Sequence, residues 1–206
     1  MIGGLTGVIN DMFGIGIIGC GLIGKKRANS LGDKGNLIAC ADINLENAKK
    51  LARDFNAIAT DSWEEILKID TIDIIIVSTL HNSLSNITKS AIQHGKHVLV
   101  EKPAGRSYEE IEEVLPELSK SDLKVRVGFN HRYHPAILKA KEIIESGDLG
   151  ELMFLRARYG HGGRLGYEKE WRADPNKSGG GEIIDQGSHL IDLSRMFLGD
   201  FSNIKG

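Results

Sequence analysis

Cysteine is scarce in this chain, with 2 among 206 residues, Cys20 and Cys40. That excludes a disulfide-stapled secreted scaffold and a zinc-ligand signature. The pair reads as two free, mostly buried thiols, one in a glycine-rich turn and one in an apolar run. An excess of charge of one sign is also lacking. Lysine plus arginine (26) nearly balance aspartate plus glutamate (28), and no basic block or stripe marks a nucleic-acid surface. No apolar run approaches the roughly 18 residues of a membrane span. The start, 1–23, has no basic leader and is interrupted by Asn10 and Asp11, unlike a signal peptide. These absences lead to the expectation of a cytoplasmic protein without nucleic-acid or membrane partners. The chain does have 41% apolar and 26% charged residues, the balance of a folded protein, and enough length for one full domain and part of a second.

The order of elements is legible from periodicity. Residues 1–12 carry Gly3, Gly4 and Gly7 and read as a flexible extension. After them, apolar β-type runs at 14–19, 36–41, 57–60, 72–78, 97–100 and 124–129 alternate with helical spacing at 22–31, 45–55, 62–67, 85–94 and 108–118. Ser62 and Glu65 are spaced as a capping box. Strands alternating with helices of this length imply an α/β domain, a doubly wound and mostly parallel sheet over 13–131. The pattern then changes. A helix is expected at 134–145, a strand of a different sheet at 151–159, a long glycine-rich loop at 160–181 and a helix at 182–197. Residues 132–206 therefore read as a partial α+β substrate or oligomerisation domain, incomplete and apparently truncated.

Gly19-Cys20-Gly21-Leu22-Ile23-Gly24 is a G-x-G-x-x-G between a strand and a helix. Gly19 permits the tight turn, Gly21 lets a pyrophosphate approach the backbone, and Gly24 lets helix and strand pack closely. A second register starting at Gly14 would put its turn inside the strand. Asp42 ends the second strand, where a carboxylate would bind the ribose diol of NAD and repel the 2′-phosphate of NADP. No arginine follows Asp42 to offset that charge, and NADP stays open only through adjustment at Asn44.

Glu101-Lys102-Pro103 closes the 97–100 strand, at the sheet edge where ligands bind. Lys102 suits a substrate hydroxyl, Glu101 can tune it and Pro103 can lock the turn; position alone leaves a solvated lysine open. Asp185 and His189, four apart, share a helical face, and histidine has the pKa for exchanging a hydroxyl proton. A solvent-facing polar helix is the bland alternative there. A metal reading would need His131 or Asp192 as a further ligand, and no metal is expected. Arg132 suits either an anionic substrate or the domain junction. Trp171 and Arg172 suit a sugar platform and clamp, or an anchor for the loop.

Taken together, GIIGCGLIG at 16–24, Asp42, GKHVLVEKP at 95–103, GFNHRY at 128–133, EWRADP at 170–175 and GGGEIIDQGSHLIDLSRMFLG at 179–199 resemble the glucose-fructose oxidoreductase and inositol dehydrogenase family over nearly the whole chain. The resemblance implies a Rossmann domain and an NAD(P)-dependent oxidoreductase acting on a sugar, sugar nucleotide or cyclic polyol, and a homo-oligomer. It implies Lys102, Asp185 and His189 as the catalytic set. His189 would take the hydroxyl proton, Lys102 would polarise that oxygen and Asp185 would bind substrate. Cofactor contacts are implied at Gly19, Gly21, Leu22, Ile23, Gly24, Asp42, Ser78, Thr79, His81, Glu101, Lys102 and Pro103, and substrate contacts at Arg132, Trp171, Arg172, Asp185 and His189. The family's T-P-N/H-x-x-H is here Thr79-Leu80-His81-Asn82-Ser83-Leu84, with leucine replacing the proline and the later histidine. Two rivals stay open: an NAD-dependent glycosidase of the same family, and a truncated cofactor-binding module without turnover.

Overall fold

A computed structural model describes residues 12–160 and 165–205. The expected extension at 1–12, Met12 aside, lies outside the described residues, as do His161 and Arg164. Six strands form one sheet: β1 (Phe13–Ile18), β2 (Gly35–Ala41), β3 (Ile58–Thr60), β4 (Ile74–Val77), β5 (His97–Val100) and β6 (Val125–Val127). Their spatial order is β3-β2-β1-β4-β5-β6, and every pairing is parallel. This is the doubly wound order, in which the chain reverses its direction of growth between β1 and β4.

Alternation along the strands builds a core on each face of the sheet. Ile15 and Ile17 of β1 join Leu37, Cys40 and Ile76 against Ala28 of α1 (Leu22–Ala28) and Leu51 of α2 (Leu45–Phe55). Ile18, Ile75 and Val77 point the other way, with Val98 and Val100, onto Ile66 of α3 (Trp63–Leu67) and Leu84, Ile87 and Ala91 of α4 (His81–Gln93). Both thiols are free and fully buried in the first of these cores.

The helices differ from their sequence periodicity in instructive ways. α4 starts at His81, four residues before the expected 85, because Leu80 is already extended and serves as N-cap. The 108–118 segment divides into α5 (Tyr108–Glu112) and α6 (Leu115–Ser119), with Pro116 in the first turn of the second helix. A proline lacks the N–H that a helix interior needs, so it is accommodated at a helix start. The capping box at Ser62 does not form. Ser62 Oγ bonds Glu64, while Glu65 accepts from Thr60 Oγ1, so the two side chains that should cross-cap are each engaged elsewhere.

After β6 a 3₁₀ turn (Asn130–Tyr133) leads into α7 (Pro135–Glu145). The expected strand at 151–159 is a correction. These residues carry no strand assignment, and among the described residues no strand follows β6. A strand needs a neighbour for its backbone N–H and C=O groups, and alternation of side chains alone does not supply one. The β part of the expected α+β unit is thus not seen among the described residues. The glycine-rich stretch holds 3₁₀ turns at Tyr167–Lys169 and Trp171–Ala173 and a short α8 (Pro175–Ser178). A π-helical turn (Ile183–Gly187) then runs directly into α9 (Ser188–Leu198).

Candidate active site

The chain reversal between β1 and β4 opens a crevice at the carboxyl edge of the sheet. Gly19 leaves β1 with φ +95, in the left-handed region that side chains avoid, and a Cβ there would lie 2.5 Å from Ser78 O. Ser78 Oγ donates to Gly19 O at 2.7 Å, tying the first strand–helix turn to the loop after β4. A Cβ on Gly24 would sit 2.0 Å from Gly19 O, so only glycine lets α1 lie this close to the turn. At Gly21, by contrast, a Cβ would meet nothing within 4 Å. The first-turn amides of α1, from Leu22 to Gly24, receive no side-chain cap and have no acceptor within the helix. Open space before uncapped helix amides is what a pyrophosphate requires. Asp42 is held at the end of β2, where Oδ2 accepts from Cys20 N at 2.8 Å and Oδ1 from Asn44 N at 2.9 Å. Oδ1 also accepts from Asn47 Nδ2 at 3.5 Å, and Oδ2 keeps a lone pair that a ribose hydroxyl can use. The residues present therefore fit a dinucleotide.

A cavity of about 420 Å³ continues from this turn, and Lys102, Asp185 and His189 all line it. Lys102 follows β5 and precedes a cis Lys102–Pro103 bond, with Ala104 at φ +76. Its Nζ donates to Asp185 Oδ1 at 2.5 Å and to Asp185 O at 2.6 Å. The other carboxylate oxygen of Asp185 faces Arg172 Nε at 3.2 Å and accepts from Gln186 Nε2 at 3.1 Å. Burial alone would raise the Asp185 carboxyl, but the hydrogen bond and charge of Lys102, with Arg172 and His81, outweigh it and hold the group below its usual range. His189 is buried, and burial, helped by the His131 and Lys102 charges, pushes its pKa down to about 4. The imidazole is therefore neutral near pH 7. The π turn carries Asp185 and opens into α9 at His189; such turns are rare and recur at functional sites.

The remaining expected residues fall into groups. Ile23, Ser78, Thr79, His81 and Glu101 line the same cavity, as do Trp171 and Arg172. Glu101 accepts from Arg27 Nε of α1 at 2.6 Å, so it couples the phosphate-side helix to the turn bearing Lys102. His81 Nδ1 lies 2.9 Å from Ser178 O, and its ring meets Trp171 edge-on at 4.7 Å. It thereby ties α4 to the 171–178 segment as well as facing the cavity. Arg172 lies over the Trp171 ring at 4.6 Å. Arg132 does not line the cavity; it grips Asp192 of α9 with Nε at 2.7 Å and a second nitrogen at 2.5 Å. Of its two readings, the geometry supports the junction anchor. Gly19, Gly21, Leu22, Gly24, Asp42 and Pro103 lie outside the cavity wall.

Five wall residues escaped the sequence reading: Lys26, Arg27, Ser30, Asn130 and Gln186. Gln186 lies three residues before His189, so it shares that side of the helix. The π turn, which no periodicity announced, carries both Asp185 and Gln186. Asn130 follows β6 at the ligand edge of the sheet, a position that could have marked it. Among the described residues no cluster of ligating side chains could hold a metal, and no helix is long and apolar enough to cross a membrane.

A parallel 3-2-1-4-5-6 sheet with a glycine turn, uncapped helix amides and a strand-end carboxylate at the crevice defines a dinucleotide-binding protein of the Rossmann class. The chain belongs to the GFO/IDH/MocA oxidoreductase family. Residues 13–129 match the family described as "Oxidoreductase family, NAD-binding Rossmann fold", and residues 137–206 match its C-terminal domain. Levoglucosan dehydrogenase of Pseudarthrobacter phenanthrenivorans is 30% identical over 175 residues, 80% of this chain and 43% of that one. Glucose-6-phosphate 3-dehydrogenase of Bacillus subtilis is 31% identical over 192 residues, 91% of this chain and 54% of that one. The structure of levoglucosan dehydrogenase in complex with NADH superposes with a TM-score of 0.83 at 26% identity, covering 92% of this chain and 55% of that one. The chain thus spans about half the length of the curated relatives it matches.

Proposed function

We propose that the protein is an NAD-dependent dehydrogenase that oxidises a hydroxyl-bearing carbon of a sugar, sugar nucleotide or cyclic polyol. The observation that carries this reading is the convergence of Lys102, Asp185 and His189 on one cavity beside the glycine turn. The printed names of the relatives, levoglucosan and glucose-6-phosphate 3-dehydrogenases, support the substrate class.

Bound NAD would supply the hydride acceptor, held by the α1 amides and Asp42. The chain's own groups handle the hydroxyl. His189, neutral and buried, accepts the hydroxyl proton as the carbon is oxidised. Lys102 stabilises the negative charge growing on that oxygen. Asp185 anchors Lys102 and, with Arg172, offers a charged pair to neighbouring hydroxyls. Trp171 gives a flat apolar wall for a sugar ring. The strand-end charge of Asp42 favours NAD over NADP. Exposed apolar side chains, among them Leu138, Met153 and Phe154, support a homo-oligomeric contact. The two unpaired thiols support a reducing, cytoplasmic setting.

The test mixes the purified chain with NAD or NADP and a panel of sugars, inositols and sugar nucleotides, and follows absorbance of the reduced nicotinamide. Sustained reduction with NAD supports the dehydrogenase. Sugar release without net reduced cofactor would identify the glycosidase instead, and NAD binding with neither would identify a binding module.

A further inference from the structure

His189 lacks the support that usually orients a buried imidazole. Its Nδ1 is fully enclosed and, among the described residues, has no hydrogen-bond partner. A catalytic histidine normally has its tautomer and plane set by such a bond. Here the ring is held by aromatic faces. His131, from the 3₁₀ turn after β6, stacks on it with centroids 3.8 Å apart and planes 11° from parallel. Tyr159 meets both rings edge-on, at 5.4 Å from His131 and 6.3 Å from His189, and Phe129 meets His189 edge-on at 6.0 Å. The turn is itself clamped to α9 one residue later, where Arg132 pairs with Asp192, three residues beyond His189. His131 also lines the cavity.

We propose that His131 is the positioning residue for His189, its stacked ring fixing the plane in which the neighbouring imidazole meets the substrate hydroxyl. The inference rests on the reading of His189 as the proton acceptor. The stack also couples the two rings' protons, since parallel imidazoles 3.8 Å apart do not readily carry two charges. His131 is the more exposed of the pair and takes the first proton as pH falls. Its cation then opposes protonation of His189. The other charged and titratable groups facing the pair are Lys102 at the end of β5, Asp185 in the π turn, Asp192 on α9, His134 beyond the turn and the Tyr159 phenol. Lys102 opposes a second positive charge, whereas the two aspartates favour it, so the order of protonation rests on the stack and on burial.

The experiment is a ¹⁵N-histidine NMR titration of the full chain, with and without NAD, on wild type, His131→Phe and His131→Ala. It needs no turnover, so it reads the stack even if the dehydrogenase reading fails. His131→Phe keeps a flat ring and removes the charge; the His189 midpoint is expected to rise by about half a unit to one unit. His131→Ala removes the ring, and the His189 resonances are expected to broaden as the side chain samples other rotamers. With a turned-over substrate, the acid limb of kcat should move to higher pH in His131→Phe. In His131→Ala kcat should fall about tenfold or more with KM for NAD unchanged. Sharp, unshifted His189 resonances in His131→Ala would overturn the proposal, whereas a His189 midpoint identical in wild type and His131→Phe would overturn the coupling of the two rings' protons. Should His131→Ala fail to fold, His131→Leu, which fills the space without a flat ring, takes its place, with broadened His189 resonances expected and sharp, unshifted ones overturning the proposal.

Discussion

Lys102 Nζ reaches both the carboxylate and the backbone carbonyl of Asp185, 83 residues away in sequence, at 2.5 and 2.6 Å. One ammonium thereby joins the end of β5 to the π turn before α9 and holds the two halves of the cavity in register. Removing it leaves a carboxylate that is 7% exposed and, among the described residues, still faces Arg172 as a charged partner. Lys102→Ala is therefore expected to lower kcat by about 10²–10⁴-fold. Lys102→Arg should not restore it, because a guanidinium cannot place a point charge in the same space. Steady-state kinetics against a turned-over substrate check both outcomes.

The glycine turn separates folding from binding. Gly24→Ala forces a Cβ to within 2.0 Å of Gly19 O, a contact with backbone that cannot rotate away. It should cost about 1–3 kcal/mol of stability and lower Tm. Gly21→Ala adds a Cβ into open space and should leave Tm unchanged while weakening NAD binding, because the new atom stands where the pyrophosphate approaches. Thermal melts with and without NAD distinguish the two positions.

Asp42 is held by the Cys20 and Asn44 amides, and under the proposed function it has an adenosine ribose to bind. Asp42→Ser keeps an acceptor and removes the charge. It should weaken NAD about tenfold and improve NADP relative to NAD, the loss of one charge-assisted hydrogen bond amounting to about 1.5 kcal/mol. Fluorescence titration with each cofactor measures the ratio.

The buried histidines predict an acid-sensitive fold. Burial is the largest cause of the lowered pKa at His189, His81 and His131 alike. A histidine whose folded pKa lies below its unfolded value binds its proton first in the unfolded chain, so stability is full above the unfolded pKa and falls as pH drops below it. For His189 the window runs from about 6.5 down to about 4 and is worth about 3 kcal/mol. Tm should decline through this window, and His189→Gln should make the decline shallower. Calorimetry at a series of pH values tests both.

Much of this was legible in the sequence because it is local. The glycine turn, Asp42 and the Glu101-Lys102-Pro103 tripeptide each sit at a strand end, and strands buried on both faces write themselves as β-branched runs. Ser78 after IIIV and the helix at 45–55 follow from the same signals. Some of the misses are non-local. The alternation at 151–159 says which faces would differ but not whether another strand lies alongside. The π turn at Ile183–Gly187 departs from the regular helical spacing, and residue periodicity does not announce it. The His131–His189 stack joins residues 58 positions apart, and neither flanking motif hints at it.

The most direct test of the account follows the hydrogen itself. A substrate identified from the panel is labelled with deuterium on the carbon bearing the reacting hydroxyl and incubated with NAD and the purified chain. The account predicts deuterium recovered in the reduced cofactor with none exchanged into water, and loss of this transfer in His189→Ala and Lys102→Ala. Deuterium released to solvent, or transfer that persists undiminished in both variants, would contradict it.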